Sequence, residues 1–374
     1  MKKRSLLAGA VIAAAALVLS ACGQAAAPSP GASSAAPTDA PAAEAGLNIK
    51  YVINGTLGDK SFIDSAFRGL TEAADTLGYT VKTVELGYDE STWESGLADA
   101  AAGDDYDILV AGSYSMSDYI GRVAPQYPDK KFWVYDAPPD YSGKVGCSNA
   151  CENVYSVTFK QNEGSYLVGY LVQLELAANA LPGAEGLTKA GIVGGQDIPV
   201  INDFIAGFKN GFADAGGNPS DVIVQYVGGD KAFNDPARGK EIAAAMFEQG
   251  AGVVWGVAGG SGVGVMEAAA SAGRYSVGVD SDQFLTIEDA TLRDTILTSM
   301  VKNVDAALLR AAQLHKEGTL VYGAAENVGI AEDGVALATD NDNFAKLVPA
   351  EIAAMVEAAA ADVKSGAVKV DTAF

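Results

Sequence analysis

Histidine occurs once in this 374-residue sequence, at His315, and cysteine only three times. No histidine cluster or cysteine pair has the spacing of a metal site, and no serine stands in a nucleophile elbow. The one glycine-dense run, Gly259-Gly260-Ser261-Gly262-Val263-Gly264, lacks the Gly-Lys-Ser/Thr ending of a phosphate-binding loop. Metal catalysis, serine nucleophilicity and a phosphate cradle therefore have no visible machinery. Basic residues are scarce too: 25 Lys+Arg stand against 47 Asp+Glu, a net charge of −22. A field of that sign repels nucleic acid and anionic membrane surfaces. Apolar runs of membrane-spanning length are also missing, since the stretch from Leu6 to Leu19 is too short to cross a bilayer.

That short run has a different use. It follows Lys2, Lys3 and Arg4, as the apolar segment of a secretory leader does. It ends in Leu19-Ser20-Ala21-Cys22, which resembles a bacterial lipobox, with cleavage before Cys22 and a diacylglycerol thioether on its sulfur. An ordinary signal peptide with a chance cysteine is the alternative. Residues 1–21 are thus expected to be a lipoprotein signal peptide. Residues 22–46, a lipidated Cys22 followed by Ala, Pro, Ser, Gly and Thr, have little to bury and read as a flexible linker. The expected location is the extracytoplasmic face of the cell membrane, touched through the lipid anchor only. Loss of the leader removes three basic residues and no acid, leaving 22 against 47 and a net of −25. Outside the cytoplasm Cys147 and Cys151, separated by Ser-Asn-Ala, are expected to pair as a disulfide; two free thiols are the alternative.

From residue 47 onward short apolar runs alternate with helical stretches. Ile49 to Ile53, Val81 to Leu86, Ile108 to Val110 and Phe132 to Tyr135 read as strands separated by helices at Ser61 to Leu77, Thr92 to Ala102 and Asp118 to Gln126. The order then recurs: strands at Ala190 to Val193, Val222 to Val227, Val253 to Trp255 and Ser276 to Val279, with helices between them. Details repeat as well, for Ala111-Gly112-Ser113 matches Gly259-Gly260-Ser261, and Tyr135-Asp136 matches Val279-Asp280. An internal repeat of βα units predicts an α/β protein of two Rossmann-like lobes with parallel sheets. Ligands of such sheets sit beyond the carboxyl ends of the strands, so two facing lobes make a ligand cleft between them.

Several segments in order resemble the basic membrane protein family of ABC-transporter binding lipoproteins, which includes bacterial purine nucleoside receptors. They are Asp59-Lys60-Ser61-Phe62, Phe67-Arg68-Gly69-Leu70, Asn153 to Phe159, Glu163 to Gly169, Gly191 to Gly195, Phe233-Asn234-Asp235-Pro236, Gly278 to Gln283 and Thr298 to Lys302. The resemblance implies a type I periplasmic-binding-protein fold. Its lobes would be residues 47–157 plus 288–318 and residues 158–287 plus 319–374, with crossings near Val157 to Gln161 and Asp282 to Ile287. It also implies a base held between Phe62 and Phe233, with Asp136, Asp280 and Lys302 on the base edge and ribose, and the Gly259 to Gly262 turn against the sugar. Asn54, Ser61 and Ser113 complete the expected ligand-binding set. Two positions depart from the family pattern: Asn54-Gly55 stands where an Asp is usual, and Ile63 where an Asn is usual.

Simple chemistry agrees with that assignment. An aromatic face suits any flat ring, a carboxylate accepts from a diol, and a lysine compensates buried carboxylates. Asp59 and Asp235 open helical stretches and read as N-caps. The expected protein is a non-enzymatic, cofactor-free and metal-free monomer that binds a small, nucleoside-like ligand and delivers it to an ABC permease. The alternatives are the same fold binding a flavin or another non-nucleoside ligand, a ligand-sensing receptor lipoprotein, and a nucleoside hydrolase.

Overall fold

A computed structural model describes residues 46–374; the leader, Cys22 and most of the linker lie outside the described residues. The described residues form twelve strands. The first sheet holds β1 (Asn48–Ile53), β2 (Thr80–Glu85), β3 (Ile108–Gly112), β4 (Lys131–Tyr135) and β5 (Val154–Phe159), with β11 (Ala324–Val328) at its edge. The second holds β6 (Lys189–Gly194), β7 (Val222–Tyr226), β8 (Ala251–Val257), β9 (Tyr275–Asp280) and β10 (Ile296–Lys302), with the short β12 (Val335–Leu337). Strand orders are β11-β5-β4-β3-β1-β2 and β12-β10-β9-β8-β6-β7, so the repeat seen in the sequence is a repeat of topology. Every pairing is parallel except β10 with β12.

The sequence dictates this arrangement strand by strand. Central strands are covered by helices on both faces and read as continuous apolar runs; β3 and β8 are buried along their whole length. The edge strand β2 is partly exposed and carries only two valines, Val81 and Val84, among Thr, Lys and Glu. Between lobes and helices the packing is close. A Cβ on Gly69, in the helix Phe62–Leu77, would lie 2.2 Å from the carbonyl oxygen of Asp305, so only glycine lets this helix meet Val304–Lys316. Cys147 and Cys151 are buried and joined by a disulfide.

The chain passes between the lobes three times. It leaves the first sheet after β5 and enters the second lobe at the helix Gln161–Ala178, which packs on Pro199–Asp214. It returns only after β10, at Asn303, because β10 pairs with β9 and the helix Val304–Lys316 packs in the first lobe. The return expected near residue 288 is therefore corrected to 303. The stretch from residue 319 is likewise not all in the second lobe. β11 joins β5 in parallel, and the chain crosses for the last time between β11 and β12.

Candidate functional site

The carboxyl ends of β1, β3 and β4 face those of β6, β8, β9 and β10, and a cavity of about 110 Å³ lies between them. Four residues at these ends have positive φ: Ser113 (95°) and Asp136 (83°) in the first lobe, Gly259 (52°) and Asp280 (63°) in the second. Side chains other than glycine rarely adopt this conformation, and where it persists the surroundings hold it, most often at ligand sites. The two lobes use it at matching places. Asp136 and Asp280 are thereby aimed into the gap.

Between these carboxylates sits Lys302, the last residue of β10. Its Nζ lies 2.6 Å from Asp136 Oδ1 and 3.6 Å from Asp280 Oδ1, and all three side chains are under a tenth exposed. Burial opposes the lysine's charge, but Asp136 and Asp280 outweigh that and hold its pKa above the ordinary value. Burial also raises the pKa of Asp280 against the opposing pull of Lys302. Ser61 donates from Oγ to Asp280 Oδ2 at 2.7 Å, whereas Asp280 Oδ1 has no hydrogen-bond partner. The ammonium also lies 4.7 Å from the Phe62 ring centroid, with Phe204 and Phe159 at 5.3 and 5.7 Å.

Aromatic and apolar walls enclose the rest. Phe62 leans on Tyr135, ring centroids 5.0 Å apart, and Phe233 comes from the loop before the helix Pro236–Glu248. Gly195, after β6, makes room for it: a Cβ there would stand 2.2 Å from Phe233 Cε1. Ile63, Tyr88 and Trp93 line the far end, where Trp93 Nε1 donates to the Gly87 carbonyl at 2.9 Å and Tyr88 shares a hydrogen bond with Thr56. Asn54 Nδ2 donates to Ser113 Oγ at 2.8 Å. Asp59 caps the helix Phe62–Leu77 by accepting from the backbone of Ser61, Ile63 and Asp64. Burial pushes its pKa up to about 6 against those bonds.

Eight of the ten expected ligand residues line this one cavity: Asn54, Phe62, Ser113, Asp136, Phe233, Gly259, Asp280 and Lys302. Two do not. Ser61 is fully buried and spends its hydroxyl on Asp280, so it positions a carboxylate and is not part of the wall. Gly262 begins the helix Gly262–Ala272 and packs on the backbone of Gly256. Tyr88, Trp93, Gln196 and Ile201 line the cavity as well, and none of them was among the ligand residues expected there. Their only sequence signal is position in the loops and first turns after β2 and β6. His315, the one histidine, is half-buried at the end of the helix Val304–Lys316 and hydrogen-bonded at Nδ1 to Tyr322.

Residues 47–361 match the family described as ABC transporter substrate-binding protein PnrA-like. The chain is 31% identical over 312 residues to the CD4+ T-cell-stimulating antigen of Listeria monocytogenes, covering 80% of this chain and 81% of that protein. It is 29% identical over 359 residues to a Lactococcus lactis protein named ABC transporter nucleoside-binding protein BmpA, covering 91% and 93%. Basic membrane protein A of Borreliella burgdorferi is 30% identical over 291 residues, covering 76% and 77%. Among solved structures, a solute-binding protein of an ABC transporter system from Aeropyrum pernix superposes with a TM-score of 0.73 at 26% identity, covering 87% and 93%.

Proposed function

The chain belongs to the PnrA-like, basic membrane protein family of ABC transporter substrate-binding proteins, and from that premise we propose that its ligand is a nucleoside, a purine nucleoside foremost. The base stacks between Phe62 and Phe233, and the ribose hydroxyls donate to Asp136 and Asp280. The protein catalyses no step on its ligand. It is a monomer held at the extracytoplasmic face of the membrane by lipid on Cys22, and it presents the closed form to its permease.

One observation carries this reading: the carboxylates of Asp136 and Asp280, both paired with Lys302, share a single cavity with Phe62 and Phe233. A ribose offers the donors and a base the flat face. Lys302 keeps the acids compensated before ligand arrives, which makes their burial tolerable. The apolar far wall of Ile63, Tyr88 and Trp93 favours a second reading, a larger flat ring such as a flavin. Thermal shift of the purified chain against nucleosides, bases, flavins, sugars and amino acids separates the two. A ligand at 100 times its Kd adds about 2.7 kcal/mol to stability. A shift with inosine, guanosine or adenosine supports the proposal; silence with every nucleoside sinks it. Release of free base from a bound nucleoside would instead establish a hydrolase.

A further inference from the structure

The ligand cavity has two unlike ends, and the first sheet gives its axis. Across β4, β3, β1 and β2, neighbours in that order, the lining residues are Asp136, Ser113, Asn54 and Tyr88, each from the segment that follows its strand. Three strand spacings of about 4.8 Å set the two ends roughly 14 Å apart. At the β4 end lie the Lys302 ammonium and the two carboxylates it pairs with. The first two residues of the helix Phe62–Leu77 divide between the ends. Phe62 lies against Tyr135 and the ammonium. Ile63 turns the other way: a Cβ on Gly55 would stand 3.0 Å from Ile63 Cδ1 and 3.2 Å from Tyr88 Cε1.

Polar groups at the β2 end are already engaged. Trp93 Nε1 donates to the Gly87 carbonyl, the Tyr88 hydroxyl pairs with Thr56 Oγ1 at 3.1 Å, and Asn54 Nδ2 donates to Ser113 Oγ. Both oxygens of Asp59 accept from backbone, Oδ1 from Ser61 and Asp64 and Oδ2 from Ile63. The second lobe adds Gln196 and Asp230 near Phe233, and both keep access to water. Both departures from the family pattern, Asn54 and Ile63, fall at this end. A base edge rich in donors would give up water here for few partners, which is costly. An apolar group in the same place gains by burial.

With the sugar on Asp136 and Asp280, the purine edge farthest from it, C6–N1–C2, points along the sheet towards Ile63. We propose that Ile63 sets the choice of base, and that the natural ligand is a purine nucleoside whose six-membered ring carries an alkyl or aryl substituent. An N6-alkylated adenosine is the simplest form. The inference rests on the nucleoside reading above and adds the class of base to it.

The test is calorimetric titration of the purified chain with adenosine, inosine, guanosine, N6-benzyladenosine and N6-(2-hydroxyethyl)adenosine, with riboflavin alongside. N6-benzyladenosine is expected to bind at least about tenfold more tightly than adenosine. The hydroxyethyl derivative should gain less, and guanosine, with its N1–H and 2-amino donors, should bind weakest. Ile63→Asn should reverse the order of benzyladenosine and adenosine, whereas Ile63→Leu should keep it; thermal unfolding without ligand checks that both variants fold. N6-substituted nucleosides that bind no tighter than adenosine, or guanosine bound tightest, overturn the proposal and leave the nucleoside reading standing. An order that survives in folded Ile63→Asn removes Ile63 as its cause. If no nucleoside binds, whether or not riboflavin does, the nucleoside reading fails and the class of base falls with it.

Discussion

Lys302 reaches from the last residue of β10 in the second lobe to Asp136, beyond the end of β4 in the first, with 2.6 Å between Nζ and Oδ1. The pair is buried, and it joins the lobes directly. Removing one partner of a buried pair leaves the other charge uncompensated. Lys302→Met should therefore cost about 3–5 kcal/mol of stability, read by denaturant unfolding. Asp136→Asn in the same background should recover part of the loss. A single variant with unchanged stability would mean that the pair is solvated.

Ser61, Asp280 and the backbone of Lys60 add to this joint. Gln283 and Thr286 of the second lobe both donate to the Lys60 carbonyl at 3.2 Å. The aromatic walls are a separate matter. Phe62→Ala and Phe233→Ala should each lose about 1–3 kcal/mol of ligand binding, measured by titration with the ligand that gives the largest thermal shift. Gly195→Ala should imitate Phe233→Ala, because its new methyl would occupy the place of the Phe233 ring edge. Unchanged affinity in all three would remove the stacked base from consideration.

Glu175 offers a prediction independent of the ligand. It is buried on the helix Gln161–Ala178, and neither carboxylate oxygen has a hydrogen-bond partner. Burial, with a smaller push from Glu351, raises its pKa to about 7. A folded-state pKa above the unfolded value gives stability that is fully present below about 4.5 and is lost as pH rises through 7. Glu175→Gln should accordingly be more stable than the parent at pH 8 by up to about 3 kcal/mol, with the gap closing between pH 7 and 4.5. A gap that is flat with pH would show that the carboxylate finds a partner.

The disulfide closes a very short loop, four residues apart in sequence. Loop entropy for such a closure is about 2 kcal/mol, so Cys147→Ser with Cys151→Ser should lower stability by about that amount. The bond lies away from the ligand cavity, so affinity should not change.

Much of this was legible because parallel strands covered on both faces announce themselves, and because the residue after such a strand belongs to the cleft. Asp136 and Asp280 were readable on that basis alone. Lys302 needed the family resemblance. The crossings were not readable: β10 is apolar like its neighbours, and nothing local tells it to pair with β9 and not with the first sheet. Ser61 looked like a ligand contact because it precedes Phe62, yet its hydroxyl turns across the lobes to Asp280, a partner 219 residues away. Trp93 and Tyr88 belong to the loop and helix start after an edge strand, where neither periodicity nor strand-end position marks a cleft residue.

The triple passage between lobes also governs how this molecule is made. The first lobe is not one stretch of chain. Its helix Val304–Lys316 and its edge strand β11 are encoded after nearly all of the second lobe. At a synthesis rate of ~5–20 residues per second, the β5 edge and the face of the helix that Gly69 contributes stay uncovered for about 10–50 s. An open strand edge and an apolar helix face are what chaperones bind and aggregates recruit. The interval before β11 arrives is thus a period of vulnerability that lies in the order of the gene, and no stabilising substitution in the finished fold can shorten it.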